Sequence, residues 1–166
     1  MKSSIAKPLL LPIFFIILCA TNCKKETPLG DFYFRCKLNG QDYIPNNCAN
    51  CNQCDFLGDT TFFLGGNRGF EAIAVGYNDL NGIKEGSYLL AIFMNPKGGN
   101  GIYKNSTLTD DIYKTDSFRS GKLEIKSMNK VNKIITGTFY FKAYNDYTKD
   151  EVNITQGKFR LKYNDH

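Results

Sequence analysis

The sequence predicts an all-β fold, an antiparallel β-sandwich with an open β-barrel as the alternative. Three observations point there. No window keeps a helical period. Runs of Phe, Tyr, Ile, Leu and Val alternate with polar residues between turn signals. Three consecutive C-terminal segments share one apolar and one charged face.

Taken in order, "DFYFRCKL" alternates so that Phe32, Phe34, Cys36 and Leu38 share one face and Tyr33, Arg35 and Lys37 the other, as in a half-buried strand. Asn39-Gly40 supplies the positive φ values of a type I′ turn, so "CKLNGQDYIP" reads as a hairpin. "TTFFLGG", "FEAIAVGY" and "SYLLAIFMN" follow as strands, the last an uninterrupted apolar run expected at the centre of a sheet. Asn81-Gly82 and Asn100-Gly101 read as loops. In "GKLEIKS", "IITGTFYFKAY" and "VNITQGKFRLKY" one face takes Leu123, Ile125, Phe139, Phe141, Ala143, Phe159, Leu161 and Tyr163. The other takes Lys122, Glu124, Lys126, Tyr140, Lys142, Tyr144, Lys158, Arg160 and Lys162. These strands form an antiparallel meander with one wet side, and the buried side needs a second layer that the N-terminal strands supply.

The N-terminus reads as an export signal over residues 1–22. Lys2 and Lys7 precede an apolar run that spans only the 12 residues from Leu9 to Ala20, too short for a transmembrane helix of about 20 residues. Small residues before Cys23 resemble a lipobox, although Ala20 and Asn22 depart from its usual pattern, and "NCKKETP" resembles the start of many Bacteroidota lipoproteins. The expectation is cleavage before Cys23, with diacylglycerol and an N-acyl chain on that residue and no other cofactor. Residues 23–31 then form the lipidated N-terminus and a polar tether, and residues 32–166 a single all-β domain.

Export decides how the cysteines are read. Cys19 leaves with the signal and Cys23 carries lipid, which leaves Cys36, Cys48, Cys51 and Cys54, an even number expected to form two disulfides of undetermined pairing. Four thiolates also suit zinc, but the second half-site here is a lone Cys36 rather than C-x2-C or H-x3-5-H. An iron–sulfur cluster lacks its following proline, and a thioredoxin-like pair lacks its βαβ context. No metal is assigned.

Catalytic constellations are absent from the sequence. The one histidine is His166, the last residue, and Asp110-Asp111 are adjacent and so would face opposite ways in a strand. "YNDLNG" places Tyr77 and Tyr88 where a calcium loop needs carboxylates. Removing Lys2 and Lys7 from 21 basic residues leaves 19 against 16 acidic ones, a net charge of +3 too mild for nucleic acid. One surface stands out: Tyr140, Lys142, Tyr144, Lys158, Arg160 and Lys162 combine flat aromatics with cations, a face suited to an acidic glycan or another anionic ligand.

The blocks "FRCKLNGQDYIP", "GKLEIKSMNKVNKIITGTFYFKAYN" and "VNITQGKFRLKY" resemble an uncharacterised family of Bacteroidota lipoproteins defined only as a domain of unknown function. The resemblance runs from about Phe32 to Tyr163 and implies lipidation, an all-β domain and no known activity. The functional expectation is a lipid-anchored, non-enzymatic binding or structural module of the cell envelope. It would be an outer-membrane lipoprotein on the periplasmic or cell-surface face, with a membrane contact and a glycan or protein ligand. The alternative is a thiol-redox or zinc protein built on the four cysteines. Lys24, Lys25 and Glu26 partly resemble the signal that sends some Bacteroidota lipoproteins to the cell surface.

Overall fold

The computed structural model describes residues 31–46, 51–94, 96–106 and 109–166. The expected signal segment, Cys23, most of the tether and Cys48 lie outside these residues.

The expected hairpin opens the fold: β1 (Tyr33–Leu38) and β2 (Gln41–Tyr43) flank Asn39 and Gly40, whose φ angles are +49° and +82°. Then follow β3 (Asn52–Leu57), β4 (Thr61–Arg68), β5 (Glu71–Asp79), β6 (Gly86–Leu90), β7 (Lys97–Lys104) and β8 (Ile112–Lys114). The meander is β9 (Gly121–Asn129), β10 (Ile134–Tyr144) and β11 (Glu151–Lys162), with β12 (Asn164–Asp165) closing the chain. All twelve belong to one open, mixed sheet, in the order β12-β3-β4-β5-β7-β8-β10-β11-β1-β2, with β9 and then β6 branching from β10. The all-β expectation holds. The two layers of the expected sandwich are parts of one continuous sheet, which does not close into a barrel. β12 runs on from β11 yet pairs in parallel with β3, bringing distant parts of the sheet together.

Every residue assigned to the inner face of the meander is buried. They join Phe34, Phe62, Leu64, Ile73, Val75 and others in one hydrophobic core. Two readings need correction. "SYLLAIFMN" is not a central strand: β6 stops at Leu90, pairs only with β9, and Ile92, Phe93 and Met94 stand 47%, 39% and 55% exposed. Apolar run length cannot tell a buried strand from one that leaves the sheet, because Phe93 finds cover by stacking on Phe63 at 5.7 Å. Asn100-Gly101 is not a loop but the middle of β7. Gly101 is there because the Phe141 ring lies against it, and a Cβ would stand 2.5 Å from ring carbons. Residues 52–57 form a further strand, with Cys54 and Phe56 inward.

In the meander, glycines stand directly opposite rings of the neighbouring strand. On β11, Gly157 lies opposite Phe139 of β10, and Gly137 of β10 lies opposite Phe159. With no Cβ on Gly157, Phe139 and Phe34 stack over that strand with centroids 5.0 Å apart. Phe34 also reaches Gly66 of β4, where a Cβ would lie 2.7 Å from its ring and collide with Pro45.

Polar groups lock the strand ends. The Tyr43 hydroxyl donates to the Gly66 carbonyl at 2.9 Å, and Arg68 lies 4.6 Å over the Tyr43 ring while its Nε donates to Glu71 at 2.8 Å. At the other end the nearly buried Asp79 pairs with Lys97 at 2.8 Å and accepts from the Asn81 amide, fixing the turn after β5.

Two outcomes test this packing. Gly157→Ala puts a methyl group 2.6 Å from the Phe139 ring, so urea unfolding should show a loss of about 1–3 kcal/mol, the usual cost of overpacking a core. The Lys97 hydrogen bond holds the Asp79 carboxyl below its ordinary value. Its stabilisation is therefore complete above the ordinary carboxylate range and is lost as pH falls through the lowered value. Thermal melts from neutral to acid pH should be flatter for Asp79→Asn, which starts lower at neutral pH, than for the native chain.

Candidate functional site

The outer face of β9, β10, β11 and β1 is built by register. One row across the strands runs Ser87, Glu124, Thr138, Lys158, Arg35. The next runs Leu89, Lys122, Tyr140, and there β11 bulges, so that Thr155 and Gln156 together oppose Tyr140. Gln156 takes φ of +54°, which turns it outward and breaks the otherwise even alternation. Two further rows place Arg160 between Thr136 and Tyr33, and Lys162 beside Ile134.

Tyr140 stands 53% exposed between two shallow grooves. One, of about 310 Å³, is lined by Lys122, Glu124, Thr138, Gln156 and Lys158; the other, of about 350 Å³, by Ser87, Leu89, Ser120 and Lys122. Lys158, Arg160 and Lys162 are all exposed and follow one another on the same side of β11, about 6.6 Å apart by strand geometry. Among the described residues none of the three has an acidic partner. The result is an aromatic plate beside a straight line of unneutralised cations.

The structure divides the six residues expected on this face. Tyr140, Lys158, Arg160 and Lys162 share the open surface. Tyr144 is instead covered by the Arg119 guanidinium, 3.8 Å from its ring centroid, and Arg119 bonds Glu151 and Asp116 at 2.8 Å each. Lys142 joins the same cluster at 3.5 Å from Glu151. The hydrogen bond from Arg119 holds the Glu151 carboxyl below its ordinary value, so Lys142 and Tyr144 sit in an ion-pair cluster at the edge of the face, with Lys142 and Glu151 still exposed. Lys122 and Gln156 belong to the grooves but were not among the residues singled out. Alternation already places Lys122 on the wet face; no sequence signal announces the bulge that brings Gln156 there.

The cysteines are arranged otherwise than expected. Cys36 and Cys54 are buried free thiols, not halves of disulfides. Each points inward from its own strand, Cys36 opposite Tyr43 and Cys54 opposite Leu64, and is covered by its apolar neighbours. Burial pushes the Cys36 thiol up to about 12 and raises Cys54 as well, so neither is a ready thiolate. Cys51 is disulfide-bonded, to neither of these two. Among the described residues no group of three or more His, Cys, Asp or Glu is placed to hold a metal ion. His166 sits 3.3 Å from Asp55 on the surface, and Asp110 and Asp111 lie in a short 3-10 turn rather than a strand.

Peptide mapping after alkylation checks the thiols: Cys36 and Cys54 should stay unmodified in the native protein at mildly alkaline pH and react fully once it is unfolded, without added reductant. Native labelling at either would contradict the burial described.

No curated protein and no solved structure matches this chain. A domain of unknown function, DUF6252, matches residues 34–161, from the first core residue of β1 to the last of β11. With most of its length in that match, the chain belongs to the DUF6252 family.

Proposed function

We propose that this protein is a lipid-anchored, non-enzymatic binding module of the bacterial cell envelope, tethered through acylated Cys23 as an outer-membrane lipoprotein of Bacteroidota type. Its ligand is an acidic polymer, a glycan in the first instance, laid across the outer face of β10 and β11. The observation that carries the ligand reading is the line Lys158, Arg160, Lys162 beside the exposed Tyr140. Cations spaced along a strand suit a chain of repeating negative charge, and an exposed aromatic ring suits the flat apolar face of a sugar. The shallow grooves on either side favour a polymer lying along the surface over a small molecule enclosed in a cavity. Buried thiols with raised pKa values lend nothing to a thiol-redox reading.

The reading is tested by binding to polygalacturonate at low and high salt. Replacing Lys158, Arg160 and Lys162 together with glutamate should weaken binding roughly tenfold or more, each factor of ten being about 1.4 kcal/mol, and remove most of its salt dependence. Tyr140→Ala should weaken it while leaving the salt dependence in place. Unchanged affinity in the triple variant would reduce the face to a solvated surface. Intact mass of the protein from membranes, showing Cys23 as the acylated N-terminus, tests the anchor.

A further inference from the structure

The loops at one end of the strands carry apolar residues where water-facing turns are ordinarily polar. Val131, in the turn between β9 and β10, is 92% exposed; Leu80, after β5, is 59%; Phe32, before β1, is 47%; and Leu57, the last residue of β3 where it enters its turn, is 51%. These loops are one surface. The Asp79 amide donates to Thr60 and the Ile83 amide to Asp59, each at 2.8 Å. Lys130 reaches Asp59 at 3.7 Å, and the Met128 amide donates to Glu85 at 2.9 Å. Between them lies an open groove of about 610 Å³ whose lining includes Leu80, Ile83 and Met128. Lys84, Lys130 and Lys133 are exposed at this end beside the apolar tips, Lys130 within 3.7 Å of Asp59 and Lys133 within 3.0 Å of Asp165.

Phe32 belongs to this end because Tyr33 pairs with Arg160, and Lys162, two residues further along β11, pairs with Ile134 at the start of β10. The chain preceding Asp31 therefore meets the domain here. On the proposed anchoring at Cys23, on which this orientation rests, eight residues separate lipid from domain. Fully extended they reach at most about 28 Å. A domain of this size has a radius of gyration of about 14 Å, so the tether is shorter than the domain is wide. Exposure by itself does not choose an end, since Phe70, Phe118 and Tyr147 are exposed in other loops. The point where the chain leaves does choose.

We infer that this end of the fold is a lipid-docking surface, with the Leu80 and Val131 tips seated at the boundary between headgroups and acyl chains. Four apolar tips set at the mouth of a short tether bury their surface in the one apolar phase the anchor holds within reach. The domain is then seated on the bilayer, and the β10–β11 face stands at its side, open to a polymer.

The sequence contains no tryptophan, so a single introduced indole reports only its own site. The full lipidated chain carrying Val131→Trp, and separately Leu80→Trp, is placed in vesicles of phosphatidylethanolamine and phosphatidylglycerol, with and without brominated acyl chains. Both indoles should shift to the blue and lose roughly half or more of their emission to the bromines, as expected at the headgroup–acyl boundary. Phe118→Trp should stay unquenched. Absence of quenching at both tips, or equal quenching at position 118, overturns the docking. A blue shift without quenching, accompanied by a doubled particle mass, overturns it in favour of a second copy of the chain. If intact mass shows Cys23 unacylated, the anchor reading fails by itself; the same indoles with added vesicles then decide the docking, quenching upholding it and its absence overturning it.

Discussion

Aromatic rings laid over glycine backbones set the spacing on which this fold depends. Phe34 and Phe139 come from strands on either side of β11 and stack at 5.0 Å only because Gly157 leaves the strand between them bare. Phe141 uses Gly101 of β7 in the same way, and Phe34 uses Gly66 of β4. The glycines cost strand stability, since they add conformational freedom to the unfolded chain and offer no side chain to pack. The rings offset this by burying large apolar areas at close range. One core then gathers residues from strands far apart in the sheet order, and a single open sheet serves as both layers.

That packing also fixes the surface. A strand whose inward residues are pinned by ring contacts has its outward residues placed without further choice, because side chains alternate. Lys158, Arg160 and Lys162 are outward because Phe159 and Leu161 are inward. The bulge at Thr155 and Gln156 lies beside Gly157, so the step that lets Phe139 pack over β11 coincides with the widening beside Tyr140. Core and candidate face are thus two sides of the same strands. The ion-pair cluster of Arg119, Asp116, Glu151 and Lys142 bounds the face at its upper corner and takes Tyr144 out of play.

The cysteines illustrate how position in a strand overrides composition. The expected export signal made disulfides the natural expectation for all four, and alternation already pointed Cys36 into the core. Once inward, Cys36 and Cys54 are small apolar groups among others, and burial itself suppresses their ionisation.

The sequence by itself determined the all-β class, the hairpin at Asn39-Gly40, the whole inner face of the meander and the wet face that carries Lys158, Arg160 and Lys162. These follow from period-two alternation and turn chemistry, which are local and need no knowledge of what lies across the core. Only the tertiary structure decided that "SYLLAIFMN" leaves the sheet after Leu90, that Asn100-Gly101 sits inside a strand, that residues 52–57 form one, and that Lys142 and Tyr144 are drawn into an ion-pair cluster. Three of those depend on a partner distant in sequence, Phe63 for Phe93, Phe141 for Gly101 and Arg119 for Tyr144, and the β3 residues on pairing across a short hairpin to Phe62 and Leu64. Local pattern says which way a residue faces, and packing alone says what it meets there.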